Sequence, residues 1–163
     1  MKMCNDKLIL AMCDYEAGCP HRIQHLIKVY TFSQLIGREE NLPETVQHVL
    51  ETAAIVHDIG IKPSEAKYGS GAGHYQELEG PAEAEKLLGS MGYSEEVIER
   101  VSYLVGHHHT YTNMDGMDYQ ILVEADFLVN IHEGKMGLEE IKSVREKIFR
   151  TKTGTALLEK MFL

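Results

Sequence analysis

The chain has 163 residues, 44% of them hydrophobic and 25% charged, with a formal net charge of −9. That length suffices for one domain with a substantial core, and an acidic chain without a run of Lys or Arg is not expected to bind a nucleic-acid polymer. No apolar run is long enough to cross a bilayer and "MKMCNDKLILAMCDYEAG" lacks a cleavage signal, so no membrane partner is expected and the expected location is the cytoplasm.

The three cysteines, Cys4, Cys13 and Cys19, cluster near the N-terminus. Their odd number and lack of CxxC spacing favour reduced thiols over a disulfide framework or a zinc site.

The first predicted helix is "HRIQHLIKVYTFSQLIG" (21–37), with Ile23, Leu26, Ile27 and Tyr30 at helical spacing and Gly37 as its stop. The second, 43–60, has Pro43 in its first turn. It runs Val46, Leu50, Ala53 and His57 down an apolar face, opposite Glu44, Gln47, His48, Glu51 and Thr52. Residues 62–80, rich in Gly, Ser and Lys, read as a long loop with a short helical piece, and "GSGAGH" (69–74) as a flexible lid or loop without a P-loop lysine.

A helix over 81–92 is framed by Pro81 at its start and Gly92 at its end. Ser94 then caps "EEVIERVSYLVGHHH", whose glutamates suit a first turn. Strong helical spacing covers 117–134, and "GLEEIKSVREKIFR" and "TGTALLEKMFL" supply two closing helices. No Val/Ile/Thr alternation marks a strand. The expected fold is all-α, a compact single-domain helical bundle over 1–163, with the helices of 137–163 packed on the rest.

Helical spacing sorts the histidines. His48 and His132 fall on solvent faces. His57 continues a buried row, and Asp58 follows it directly. In the run 107–109, His108 and His109 extend apolar rows, whereas His107 extends the polar row Glu96, Arg100, Tyr103. Asp126 lies between Leu122 and Val129, with Glu124 as a less buried competitor. A buried acid must be paired, hydrogen-bonded or metal-bound. No matching row of buried Arg or Lys exists, and imidazole and carboxylate are natural ligands of a divalent metal pair.

These residues resemble the HD superfamily of metal-dependent phosphohydrolases. The similarity rests on His25 in "RIQHLIKV", His57-Asp58 in "AAIVHDIG" and Asp126 in "LVEADFL", and spans roughly 20–135. His21 competes with His25, one turn away, and the context "RIxHxxxV" favours His25. The resemblance implies an HD-type helical bundle and one or two divalent ions per chain, of Fe, Mn, Mg, Zn, Ni or Co.

It implies His25, His57 and Asp126 around one ion, His74, His108 and His109 around a second, and Asp58 bridging, with Glu77 and Glu79 as alternatives to His74. The implied chemistry is attack of metal-activated water on the phosphorus of a nucleotide or small phosphorylated metabolite. Asp58 would orient the water, and Lys62 and Lys67 would offset phosphate charge, Lys62 with a catalytic part. The chain departs from the cyclic-dinucleotide branch, which resembles "HDIGK" with a later "GYP": Ile61 stands at the lysine position and no "GYP" follows. Two other readings stand beside the phosphohydrolase one: a di-iron oxygenase, which shares the ligand set, and a non-catalytic nucleotide-sensing domain, which degenerate ligands would favour.

Overall fold

The computed structural model describes residues 5–163, among which there are nine α-helices and no strand. These are α1 (Asn5–Tyr15), α2 (Pro20–Glu39), α3 (Glu44–Val56), α4 (Ile61–Tyr68), α5 (Gly73–Ser90), α6 (Glu95–Val105), α7 (Met117–Gly134), α8 (Leu138–Lys147) and α9 (Lys152–Phe162). Cys4 lies outside the described residues, and Cys13 and Cys19 are unpaired thiols. No helix among the described residues is long and apolar enough to cross a membrane.

Two helices form the centre. α3 is buried without interruption from Leu50 to Val56, and α7 from Asp118 to Asp126. A helix enclosed on all sides belongs inside the core rather than on its surface. α2 packs against both, α6 packs against α3, and α9 returns onto α7 and α2. Leu50, Ile55, Ile121, Leu122 and Leu128 are fully buried, and such side chains contribute about 1.5–3 kcal/mol each.

This enclosure corrects the expected polar face of α3. Glu51 and Thr52 are buried. Glu51 accepts hydrogen bonds from Gln34 (2.9 Å) and Gln47 (2.8 Å), and Thr52 donates to the carbonyl of His48 at 2.7 Å. On α2, Ile27 is exposed although its spacing suggested the core. The helix also runs through Gly37 to Glu39. Gly37 serves packing there: a Cβ would meet the amide of Gln47 on α3 at 2.1 Å.

Of the region 62–80 only residues 69–72, within the expected "GSGAGH" loop, lie outside helices. The region holds α4 and the first two turns of α5, and Pro81 sits inside α5 rather than at its start. An interior proline forfeits one backbone hydrogen bond and costs about 3 kcal/mol. The buried row Gln76, Gly80, Ala84, Leu88 carries the helix through this cost. Gly60 and Gly80 make the packing possible. A Cβ on Gly60 would come within 2.7 Å of the Gln76 carbonyl oxygen, and one on Gly80 within 2.6 Å of Val105. The turn after α3 is thereby pressed against α5, and α5 against α6. Ser94 caps α6 as expected, accepting from the amide of Val97 at 3.3 Å.

Glu124 is fully enclosed, more so than Asp126, which reverses the expected order. It accepts from Gln120 (2.6 Å), the amides of Arg150 (2.9 Å) and Thr151 (3.0 Å), and the Thr151 hydroxyl (2.6 Å). It therefore clasps the chain between α8 and α9 to the centre of α7. Removing a buried acceptor strands its donors, at about 1–3 kcal/mol for each group left unsatisfied. Glu124→Ala is expected to lower unfolding stability by about 3 kcal/mol or more in urea titrations, with the far-ultraviolet spectrum still helical.

Candidate metal centre

Asp126 and His25 reach the core from α7 and α2, while His57-Asp58 and His107–His109 occupy the turns that end α3 and α6. Each turn continues in helical geometry past its helix, as the backbone of His57 and Gly106 shows, so periodicity still predicts where the side chains point.

These turns are held from several sides. The Tyr15 hydroxyl of α1 donates to the carbonyl of Ile59 at 3.0 Å, and Lys62 Nζ returns a bond to the carbonyl of Tyr15 at 3.0 Å. The Tyr119 hydroxyl of α7 lies 2.8 Å from the carbonyl of His107 and also contacts that of Thr110. Glu77 of α5 accepts from the amide of His109 (3.1 Å) and the hydroxyl of Thr110 (2.9 Å).

Two groups of metal-compatible donors result, His25 with His57 and Asp126, and Asp58 with His108 and His109. Within each, the donor atoms lie no more than 4.8 Å apart. His25 Nε2 is 3.1 Å from His57 Nε2 and 3.1 Å from Asp126 Oδ1. Asp58 faces both groups. Its Oδ2 is 3.2 Å from His25 Nε2 and 3.4 Å from His57 Nε2, and its Oδ1 is 3.5 Å from His108 Nε2.

The outer nitrogens define the tautomers. His25 Nδ1 donates to Glu133 (2.7 Å), His57 Nδ1 to the carbonyl of Ala54 (2.7 Å), and His108 Nδ1 to the carbonyl of Val105 (2.8 Å). An oxygen behind each ring fixes it and directs the Nε2 lone pair inward, as metal-binding histidines require. His108 Nε2 is buried with no hydrogen-bond partner among the described residues. That orphaned nitrogen, the converging lone pairs and the two carboxylates fit a divalent metal.

The electrostatics agree. Burial disfavours charge on His57, yet Asp58 and Asp126 outweigh it and raise its pKa well above 6.5. His25 is raised in the same way, burial opposing and Asp126 prevailing. Burial works against the carboxylate of Asp58, but His57, His108 and His25 hold its pKa well below the usual range, and His25 and His57 do the same for Asp126. Burial, then His108, pulls His109 down to about 4, which keeps it neutral. Protons on His25 and His57 thus neutralise the acids when no cation does.

The remaining sequence candidates lie elsewhere. His74 is exposed with its ring 4.0 Å from that of Tyr75, and belongs to neither donor group. His21 is exposed one turn before His25, and His132 is exposed; His48 stacks at 6.0 Å on Tyr93. His107 turns outward against Tyr103, its ring 4.0 Å away. Lys62 lies over the Tyr15 ring, while Lys67 pairs with Glu79 at 3.4 Å. Glu77 and Glu79 are engaged by the Thr110 turn and by Lys67 and Tyr68. Glu133 and Gln76 escaped the sequence reading. Glu133 is two turns beyond Asp126 on the same face of α7, and Gln76 shares a row with Gly80, Ala84 and Leu88, so both were legible from helical spacing.

A helical bundle that gathers buried imidazoles and carboxylates from several elements defines a protein of the HD type. The HD domain family model matches residues 22–150, and the chain belongs to the HD-domain family. No curated protein matches the chain. Among solved structures the fold resembles that of a predicted HD superfamily hydrolase from an uncultured Thermotogales bacterium. That protein is 24% identical over 95% of this chain and 83% of its own, with a TM-score of 0.68.

Raised histidine pKa values stabilise the metal-free fold fully below 6.5, and that contribution is lost as pH climbs through the folded-state values. The lowered carboxyls contribute above 3.8 and lose their part only as pH falls through their depressed folded-state values. Chelator-treated protein is therefore expected to melt at progressively lower temperature from neutral into alkaline pH. The gain in melting temperature on adding a divalent ion should grow over the same span, and calorimetry with and without metal checks both.

Proposed function

We propose that this chain is a metal-dependent phosphohydrolase that cleaves a phosphoester of a nucleotide or small phosphorylated metabolite. Its membership of the HD-domain family and its His/Asp clusters support a metal-dependent hydrolase, and the phosphoester is the finer part of the proposal. The observation that carries it is the placement of Asp58, one oxygen toward each donor group, among histidines whose outer nitrogens are already bound.

His25, His57 and Asp126 would hold one ion and His108 and His109 another, with Asp58 between them. Such ions supply Lewis acidity, lowering the pKa of water and neutralising charge on phosphoryl oxygens.

The chain's own residues do the rest. His25, His57, His108 and Asp126 are nearly inaccessible, whereas the Asp58 side chain is 20% exposed and His109 is half-buried. Substrate therefore approaches from the side of Asp58 and His109. Asp58, whose side chain is the more open of the two acids, would accept a hydrogen bond from the attacking water and orient it toward phosphorus. Lys62, in the first turn of α4 beyond the His-Asp turn, would offset phosphate charge by releasing its contact with the carbonyl of Tyr15, whereas Lys67 is held by Glu79 and would have to leave it to do the same. The unpaired thiols of Cys13 and Cys19 suit a cytoplasmic enzyme.

The test is a panel of phosphomonoesters, nucleotides and dinucleotides presented to metal-free protein and to protein loaded with Mg, Mn, Co, Ni, Zn or Fe. Metal-dependent release of phosphate or nucleotide is expected, and Asp58→Asn should reduce it to the level of the enzyme-free control. Lys62→Ala should raise KM about fivefold with kcat kept, as loss of one exposed charge contact predicts. Failure of every loaded form to hydrolyse any phosphoester overturns the reading. So does oxygen-dependent turnover with a mixed-valence iron signal and no phosphate release.

A further inference from the structure

The two donor groups are unequal. The first has two imidazoles and the carboxylate of Asp126, plus one oxygen of Asp58, whereas the second has two imidazoles and the other oxygen of Asp58. His74 does not complete it, being exposed against Tyr75.

Gln76 lies two residues further along α5, and its side chain turns inward. Its Nε2 donates to the carbonyl of Gly71 at 2.7 Å, which fixes the amide so that Oε1 points toward the donor group. Oε1 accepts a hydrogen bond from His109 Nε2 at 3.0 Å, and a cation bound by both atoms would take the place of that proton. The first group shows the same spacing between converging donors, with 3.1 Å from His25 Nε2 to both His57 Nε2 and Asp126 Oδ1. Nor is the residue free to drift. Gly60 of the His-Asp turn lies against the carbonyl of Gln76, and Gly73, one turn earlier, lies against the ring of His109 with room for no Cβ.

Resting on the metal reading above, we propose that the amide oxygen of Gln76 is the remaining protein donor of the second group, and that it makes the pair of metal sites asymmetric. An amide oxygen is a hard, neutral ligand, and affinity for a divalent cation scales with the number of charged ligands. The first group offers Asp126 where the second offers Gln76. Loading is thus sequential: one ion is held tightly by His25, His57 and Asp126, and the second is exchangeable at His108, His109 and Gln76, on the side open to substrate.

The experiment is a titration of metal-free full-length protein with Co(II), followed by calorimetry and by the visible absorption bands of each equivalent. The wild type is expected to bind two ions in separate steps. Gln76→Leu, which keeps the volume and removes the oxygen, should weaken the second step tenfold or more and leave the first within twofold. Gln76→Glu, which keeps the oxygen and adds charge, should strengthen the second step and shift only its bands. It also keeps the proposal testable should Gln76→Leu fold poorly. The proposal is overturned if both variants leave the second step within twofold of wild type, if both steps weaken in parallel, or if the wild type binds a single ion. Two-step binding insensitive to Gln76 leaves the hydrolase reading standing, whereas no binding at all removes both.

Discussion

Two carboxylates facing one another across imidazoles, in a protein interior, are the constraint around which this fold is arranged. Asp58 and Asp126 share His25 and His57 at hydrogen-bonding distance and pair with no Arg or Lys among the described residues. Uncompensated charge of that kind costs several kcal/mol per ion. The metal-free protein answers it with protons on the histidines, which is why their pKa values rise despite burial. A cation answers it better, since it uses the same lone pairs and needs no charged imidazole. Proton and metal compete for one set of atoms.

Satisfying that constraint requires rigid positioning, and the packing supplies it by an economy of side chains. The His-Asp turn leaves the buried end of α3 and is pinned from α1 by Tyr15 and from α5 by the glycine contact at Gly60. The histidine run leaves α6 and is pinned from α7 by Tyr119 and from α5 by Glu77. The residues that form these anchors lie outside the donor groups. Their placement explains why α1, which contributes none of the donors, and α5, with its interior proline, matter to the site: both bear on turns whose own backbone hydrogen bonds are incomplete.

Helical periodicity made much of this legible. It placed α7 at 117–134 as observed, and it separated inward His108 and His109 from outward His107. It chose His25 over His21 only with help from sequence context. The misses have physical causes. Pro81 reads as a helix start because proline favours a first turn, and only the tertiary row from Gln76 to Leu88 carries α5 through it. With the helix start placed at Pro81, the row that carries Gln76 is not followed back from Gly80, and the resemblance supplies His74 instead. Glu51 and Thr52 look solvent-facing because a polar stripe ordinarily is, yet α3 is enclosed on all sides from Leu50 to Val56 and satisfies them with Gln34, Gln47 and the backbone. Enclosure is a property of the neighbours, and one helix's sequence does not carry it.

Glu124 and Asp126 show what burial does and does not reveal. They stand two residues apart on α7, both nearly inaccessible. Glu124 receives amide, hydroxyl and side-chain amide protons, so its oxygens are fully engaged and its work is structural. The polar partners of Asp126 among the described residues are imidazoles, and each of those can yield its inner nitrogen to a cation because an oxygen behind it holds the other. Donors that bring permanent N–H or O–H protons close a carboxylate off; donors whose proton can leave keep it available. By that criterion depth of burial alone would have selected the wrong acid, and the identity of the hydrogen-bonding partners selects the right one.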